Sequence, residues 1–104
     1  MASEENAIVN ACLDYLNSLG IVCWRNVTRH FKYRPKLGIK GVPDIIGILQ
    51  DGRFIGVECK TKTGKQSPDQ IDFQAICDSR NACYYIVTSV EELSKKFFGQ
   101  RLSF

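Results

Sequence analysis

The stretch GVPDIIGILQDGRFIGVECK, from Gly41 to Lys60, restricts the possible folds more than any other part of the chain. Asp51-Gly52 separates two runs rich in Ile, Val and Phe, and a glycine free to take positive φ at that place is a strong hairpin signal. The reading is two strands, residues 44–49 and 53–60, folded back on one another. Side chains alternate along a strand, so Glu58 and Lys60 share a face while Cys59 points to the other. Residue 44 then pairs near residues 58 to 60, allowing for a one-residue bulge. Asp44, Glu58 and Lys60 meet at the open end of the hairpin. Side chains of these types are almost never fully buried without a partner.

The other segments place helices around that hairpin. Ile8, Cys12, Tyr15, Leu16 and Leu19 recur at helical spacing over residues 3–19, with Ser3 as the cap and Gly20 as the stop. Residues 21–27, IVCWRNV, read as a strand with Trp24 in the core, and residues 28–41 as an exposed loop. After the polar TKTGKQ, Ser67-Pro68-Asp69-Gln70 opens a helix to about residue 80, with Pro at its first position and a capping box. Residues 82–88, ACYYIVT, form an unbroken apolar run expected at the centre of a sheet. Ser89-Val90-Glu91-Glu92 repeats the capping signal and starts a last helix to about residue 98. The order is α-β-β-β-α-β-α. Its strand–helix–strand step favours a parallel pairing, which predicts an α/β fold with a mixed β-sheet flanked by helices. At 104 residues the chain supports one core, so residues 1–104 are read as a single domain.

Composition narrows the chemistry. The five cysteines are odd in number and contain no C-x-x-C pair. They read as reduced core thiols of a cytosolic protein rather than a disulfide framework or zinc ribbon. The acidic MASEENAIVN lacks the layout of a secretion signal, and no apolar run approaches the roughly 18 residues of a membrane span. The expectation is a cytoplasmic protein without a membrane partner. His30 is the single histidine, so a bound metal has to be held by oxygen. Between Asp14 and Asp44 there is no acidic residue, while Arg25, Arg29, Lys32, Arg34, Lys36 and Lys40 all fall in that interval. Such a segment is either a solvated loop or, beside a metal site, a source of phosphate contacts. Phe31 and Tyr33 are candidates to stack on bases.

Two carboxylates a few ångströms apart repel, and a divalent cation between them is the usual resolution. A lysine beside them can orient a water and counter developing negative charge. The combination Gly41-Val42-Pro43-Asp44 with Glu58-Cys59-Lys60 resembles the PD-(D/E)xK nuclease motif. The wider pattern runs from the glycine before Pro-Asp, through the loop after the lysine, to the Ser-Pro-x-Gln helix start. It is similar to the VRR-NUC (virus-type replication-repair nuclease) branch of that superfamily, over residues 5–90.

The resemblance implies a restriction-endonuclease-like core and Mg²⁺-dependent cleavage of DNA phosphodiester bonds, with Mn²⁺ able to substitute. It implies Asp44 and Glu58 as metal ligands, the Cys59 backbone carbonyl as a third, and Lys60 as the residue that positions or deprotonates the attacking water. Glu5 matches the first-helix acid, as a further catalytic or metal-ligating residue; its other reading is pairing with the helix N-terminus. Glu4 replaces it if the helix register shifts by one. Gln70 matches a position near the site, or serves the capping box alone. Lys62 and Lys65 either touch phosphates or are solvated. Compact VRR-NUC proteins are similar to Holliday-junction resolvases, which implies branched DNA and a second copy of the chain as partners and no small-molecule cofactor. Phe97, Phe98, Leu102 and Phe104 are candidate dimer contacts or core packing. The alternatives are a monomeric nicking, flap or restriction-like nuclease, and a DNA-binding module with an inactive site; the complete Asp44/Glu58/Lys60 set argues against the last.

Overall fold

Local sequence sets the boundary of each element in the computed structural model, which describes residues 3–26 and 40–102. Helix α1 (Glu4–Ser18) starts where the Ser3 hydroxyl accepts the Asn6 N–H at 3.0 Å. It stops at Gly20, whose φ of +80° lets the Gly20 N–H reach Asn17 O while the Ile21 N–H reaches Leu16 O. This is the glycine-closed helix end.

Strands β1 (Val22–Arg25), β2 (Ile45–Ile48) and β3 (Phe54–Cys59) form an antiparallel meander. Gly52, at φ +90°, turns the β2–β3 hairpin, with its N–H on Leu49 O at 2.9 Å and the Leu49 N–H on Arg53 O at 2.8 Å. Helix α2 (Pro68–Ser79) carries the chain back to β4 (Cys83–Val87), which lies parallel to β3. Helix α3 (Val90–Leu102) follows. The capping box at α2 is complete: the Gln70 N–H donates to Ser67 Oγ at 3.2 Å and the Ser67 N–H to Gln70 Oε1 at 2.9 Å. At α3 it is altered. The Glu92 N–H donates to Ser89 Oγ at 3.1 Å, but Glu92 Oε1 reaches one residue further back and accepts the Thr88 N–H at 2.6 Å.

The sheet divides the molecule into two layers. On one face Ile45, Ile55, Val57, Cys59, Tyr85 and Val87 meet Val9, Cys12 and Leu16 of α1 and Leu93 and Phe97 of α3. The Tyr85 and Phe97 rings pack edge-on at 6.2 Å between centroids. Each aliphatic side chain enclosed there contributes roughly 1.5–3 kcal/mol. On the other face α2 places Phe73 against Phe54 and Tyr84, at 6.0 and 6.3 Å.

Two expectations are corrected. The sheet order β1-β2-β3-β4 puts β4 at an edge rather than the centre. Its apolar run comes from helices on both faces, α2 over Tyr84 and α3 over Tyr85; a sequence registers covered faces, not ladder partners. Trp24 is exposed rather than core. It lies on the α2 face of β1, and α2 covers only the β3–β4 half of the sheet. β1 is also shorter than expected, and α3 runs past residue 98. All five cysteines are free, four of them buried. Among the described residues no helix is long and apolar enough to cross a membrane.

Candidate active site

Strand register brings the two carboxylates together. Ile45 stands opposite Val57, so the next rung outward is Asp44 with Glu58, both on the α2 face. The backbone there is held from each side: the Asn26 N–H donates to Asp44 O at 2.7 Å, and the Lys60 N–H to Val87 O at 2.9 Å. No bulge is needed. The segment entering Asp44 rests directly on α2. Gly41 has φ +83°, and a Cβ on it would lie 2.2 Å from Asp69 O, so only glycine fits.

Asp44 Oδ2 accepts the Cys59 N–H at 2.8 Å. A strand residue's N–H and C=O point to the same side, so the Cys59 carbonyl is aimed toward Asp44 as well. Glu58 is 2% exposed and is the buried charged side chain among the described residues. Burial, then the Asp44 carboxylate, push its pKa up to about 7, against the pull of Lys60. Lys60 Nζ lies 3.4 Å from Glu58 Oε2, with the two side chains 15% and 3% exposed. A carboxyl raised in this way favours a shared proton or a cation.

The donor set fits a hard divalent cation. Two carboxylates and an in-plane backbone carbonyl are all oxygen, and Mg²⁺ is commonly held by one or two carboxylates while keeping several waters. Among the described residues no three His, Cys, Asp or Glu side chains converge on one point, and the strand register brings together the two carboxylates Asp44 and Glu58. Glu5 is half-buried in the first turn of α1, on the stripe that continues through Val9, Cys12 and Leu16. Asn6, its neighbour, accepts a hydrogen bond from the Arg25 guanidinium, which places this helix end near the Asn26–Asp44 rung. Gln70 has its Oε1 committed to the cap of α2.

The expected DNA contacts divide. Arg25 is half-buried and points to the α1 face, in register with Ile45 and bonded to Asn6. Lys40, Lys62 and Lys65 are exposed, the last two on the loop that follows Lys60. Arg29, Lys32, Arg34 and Lys36, with His30, Phe31 and Tyr33, lie outside the described residues, as does Phe104.

Two side chains near the carboxylates carry no sequence signal. Tyr84, across β3 from the hairpin, has a fully enclosed hydroxyl that makes no hydrogen bond of good geometry. Burial is the main cause that pushes its pKa up to about 12; the Gln66 amide opposes this, and the Glu58 and Asp44 charges add to it. Gln66 itself donates through Nε2 to Gln74 Oε1 at 3.1 Å, tying the loop after Lys60 to α2. The register sets Tyr84 beside Gly56, on the face that carries Glu58 two residues further along β3.

No protein-family model matches the sequence, and no curated protein does. Among solved structures, one described as "VRR_NUC domain" superposes with a TM-score of 0.69 at 23% identity, over 90% of this chain and 94% of that one. The chain therefore has the fold of a VRR-NUC domain, with its elements in the order expected from the sequence.

Proposed function

We propose that this chain is a Mg²⁺-dependent nuclease that hydrolyses DNA phosphodiester bonds, acting on branched DNA as a homodimer. The observation that carries the reading is the buried Glu58 beside the half-buried Asp44, with Lys60 at 3.4 Å from Glu58. The fold shared with the VRR_NUC domain structure supports it. Asp44, Glu58 and the Cys59 carbonyl would hold the cation. When bound there, a divalent cation polarises the phosphate and lowers the pKa of a water. Asp44 is oriented by the Cys59 N–H, which fixes one of its oxygens. Lys60 brings a positive charge to the edge of the pair, where it offsets charge building on the phosphate and orients the attacking water. The exposed Lys40, four residues before Asp44, and Lys62 and Lys65, on the loop after Lys60, supply backbone contacts without reading sequence. The branched substrate and the second copy follow from the resemblance of the Gly41–Gln70 pattern to resolvase-like proteins.

The deciding assay incubates the protein and its Glu58→Ala variant with four-way junction, flap and linear duplex in Mg²⁺, Mn²⁺ or EDTA. The expected result is metal-dependent cleavage of the junction by the wild type alone. No cleavage of any substrate in either metal sinks the nuclease reading and leaves a DNA-binding module. Preference for flap or linear duplex, by a monomer in sedimentation, replaces the resolvase refinement with a nicking, flap or restriction-like activity.

A further inference from the structure

On the α2 face of the sheet, α2 covers β3 and β4, and among the described residues no element packs over that face of β1 and β2. Val22, Trp24 and Ile48 are 64%, 48% and 52% exposed there, and Ile46 is half-buried among them. Trp24 stands opposite Ile46 and Val22 opposite Ile48. Ile46 follows Asp44 by two residues and so shares its face. With 3.4 Å per residue along a strand and 4.8 Å between strands, the Trp24 backbone lies roughly 8 Å from that of Asp44. The indole is thus within the reach of one nucleotide from the carboxylate pair.

We propose that Trp24 is a stacking platform for an unpaired base of the DNA strand whose phosphate lies at Asp44 and Glu58. The proposal rests on the nuclease reading and names the feature of the substrate that the site would recognise. A half-exposed indole suits any base, since every base has a π-face. A base inside a continuous duplex already has both faces covered by its neighbours. Only a base at a branch, a bulge or a strand end is free to move onto Trp24. The platform therefore selects DNA by its openness rather than by sequence.

The size of the patch argues against a second copy as the occupant. The three exposed side chains present on the order of 300–400 Å² together, within the range of the largest patch on an ordinary monomer. A stable protein–protein interface takes about 800 Å² from each partner. The exposed Lys40, Lys62 and Lys65 near the carboxylates favour a polyanion beside this face over an apolar protein surface.

Trp24 is the only tryptophan in the chain, so intrinsic emission reports on this one position. The experiment titrates the wild type in EDTA with a paired duplex and with the same duplex carrying one unpaired base. The expected result is quenching by the second DNA alone. Trp24→Ala should weaken binding of the unpaired-base DNA about tenfold, leave the paired duplex unchanged, and be largely rescued by Trp24→Phe. Equal quenching by both DNAs, or equal affinity of Trp24→Ala and wild type for the unpaired-base DNA, overturns the proposal. Conversion of a dimer to a monomer by Trp24→Ala in sedimentation also overturns it, by assigning the face to a second copy. Cleavage in Mg²⁺ or Mn²⁺ is scored separately. Its absence removes the nuclease reading, whereas cleavage without selective quenching removes only the role of Trp24.

Discussion

The Cys59 N–H donates to Asp44 Oδ2 at 2.8 Å, so the backbone of β3 orients the carboxylate that enters β2. Two strands thereby share one site through a main-chain donor, independent of the side chain at position 59. Asp44→Ala removes that acceptor and leaves a strand N–H unpaired beside a buried glutamate, which costs about 1–3 kcal/mol. Asp44→Asn keeps an acceptor oxygen but removes the charge. Both variants are expected to lose metal-dependent cleavage, while only Asp44→Ala lowers the thermal midpoint in EDTA at pH 6. Equal midpoints for the two variants would contradict the positioning argument.

Glu58 makes stability depend on pH. Its folded pKa is raised to about 7, above the ordinary value of 4.5, chiefly by burial and then by Asp44. Below pH 4.5 it is protonated in both states and the folded protein has the full benefit. Between pH 4.5 and about 7 the unfolded chain gives up the proton while the folded one keeps it, so stability falls as pH rises. The loss is on the order of 1–3 kcal/mol. Urea denaturation in EDTA at pH 5 and pH 8 measures it, and Glu58→Gln should flatten the slope. Mg²⁺ has to displace the same proton, so its stabilising effect should be larger at pH 8 than at pH 5.5.

Lys60 separates chemistry from metal holding. Its Nζ touches Glu58 but contributes no ligand, because an ammonium has no lone pair to give. Lys60→Met is expected to reduce kcat by roughly a hundredfold or more, while Mg²⁺ still raises the thermal midpoint. Loss of the Mg²⁺-dependent shift in this variant would make Lys60 part of the binding site instead.

Gln70 tests whether a motif position is serving the helix. With its Oε1 on the Ser67 N–H and its own N–H on Ser67 Oγ, Gln70→Ala breaks half of a capping box. A loss of about 1 kcal/mol is expected, which in a domain of this size shifts the midpoint by roughly 4–8 °C. Cleavage per folded molecule, measured well below that midpoint, should change less than twofold. A large fall in kcat with an unchanged midpoint would return Gln70 to the catalytic group.

The hairpin and its three charges were legible because period-2 alternation and the Asp51-Gly52 turn are local. Together they place Asp44 opposite Glu58 to within a residue. Helix ends were legible for the same reason, since Ser3, Gly20 and Ser67 act on backbone atoms within a few residues. Trp24 was misread because exposure depends on which half of the sheet α2 covers, a long-range fact. The edge position of β4 was hidden because an apolar run reports covered faces only. Tyr84 comes onto the Glu58 face only through the parallel β3–β4 pairing, and Gln66 onto α2 through the loop that precedes it. No residue near them in sequence announces that approach.

Gly41 shows why the glycine before Pro-Asp belongs to the site although it bears no side chain. It holds φ +83°, a region that alanine enters only with strain, and a Cβ would stand 2.2 Å from Asp69 O and 2.8 Å from the Gln70 N. These are backbone atoms in the first turn of α2, fixed by the cap at Ser67, so they cannot swing aside as a flexible side chain would. Gly41→Ala must therefore push the Val42-Pro43-Asp44 segment away from α2. Pro43 is buried and Asp44 carries the hydrogen bond from Cys59, so the displacement reaches the carboxylate. The expected result is a stability loss of about 2 kcal/mol or more together with weakened Mg²⁺ binding, read from the metal-dependent midpoint shift. Gly52→Ala is the control. Gly52 also has positive φ, at +90°, but its Cβ would meet nothing within 4 Å, so backbone strain acts there without any clash near the site. That variant should lose stability by about 1 kcal/mol and keep its Mg²⁺ response.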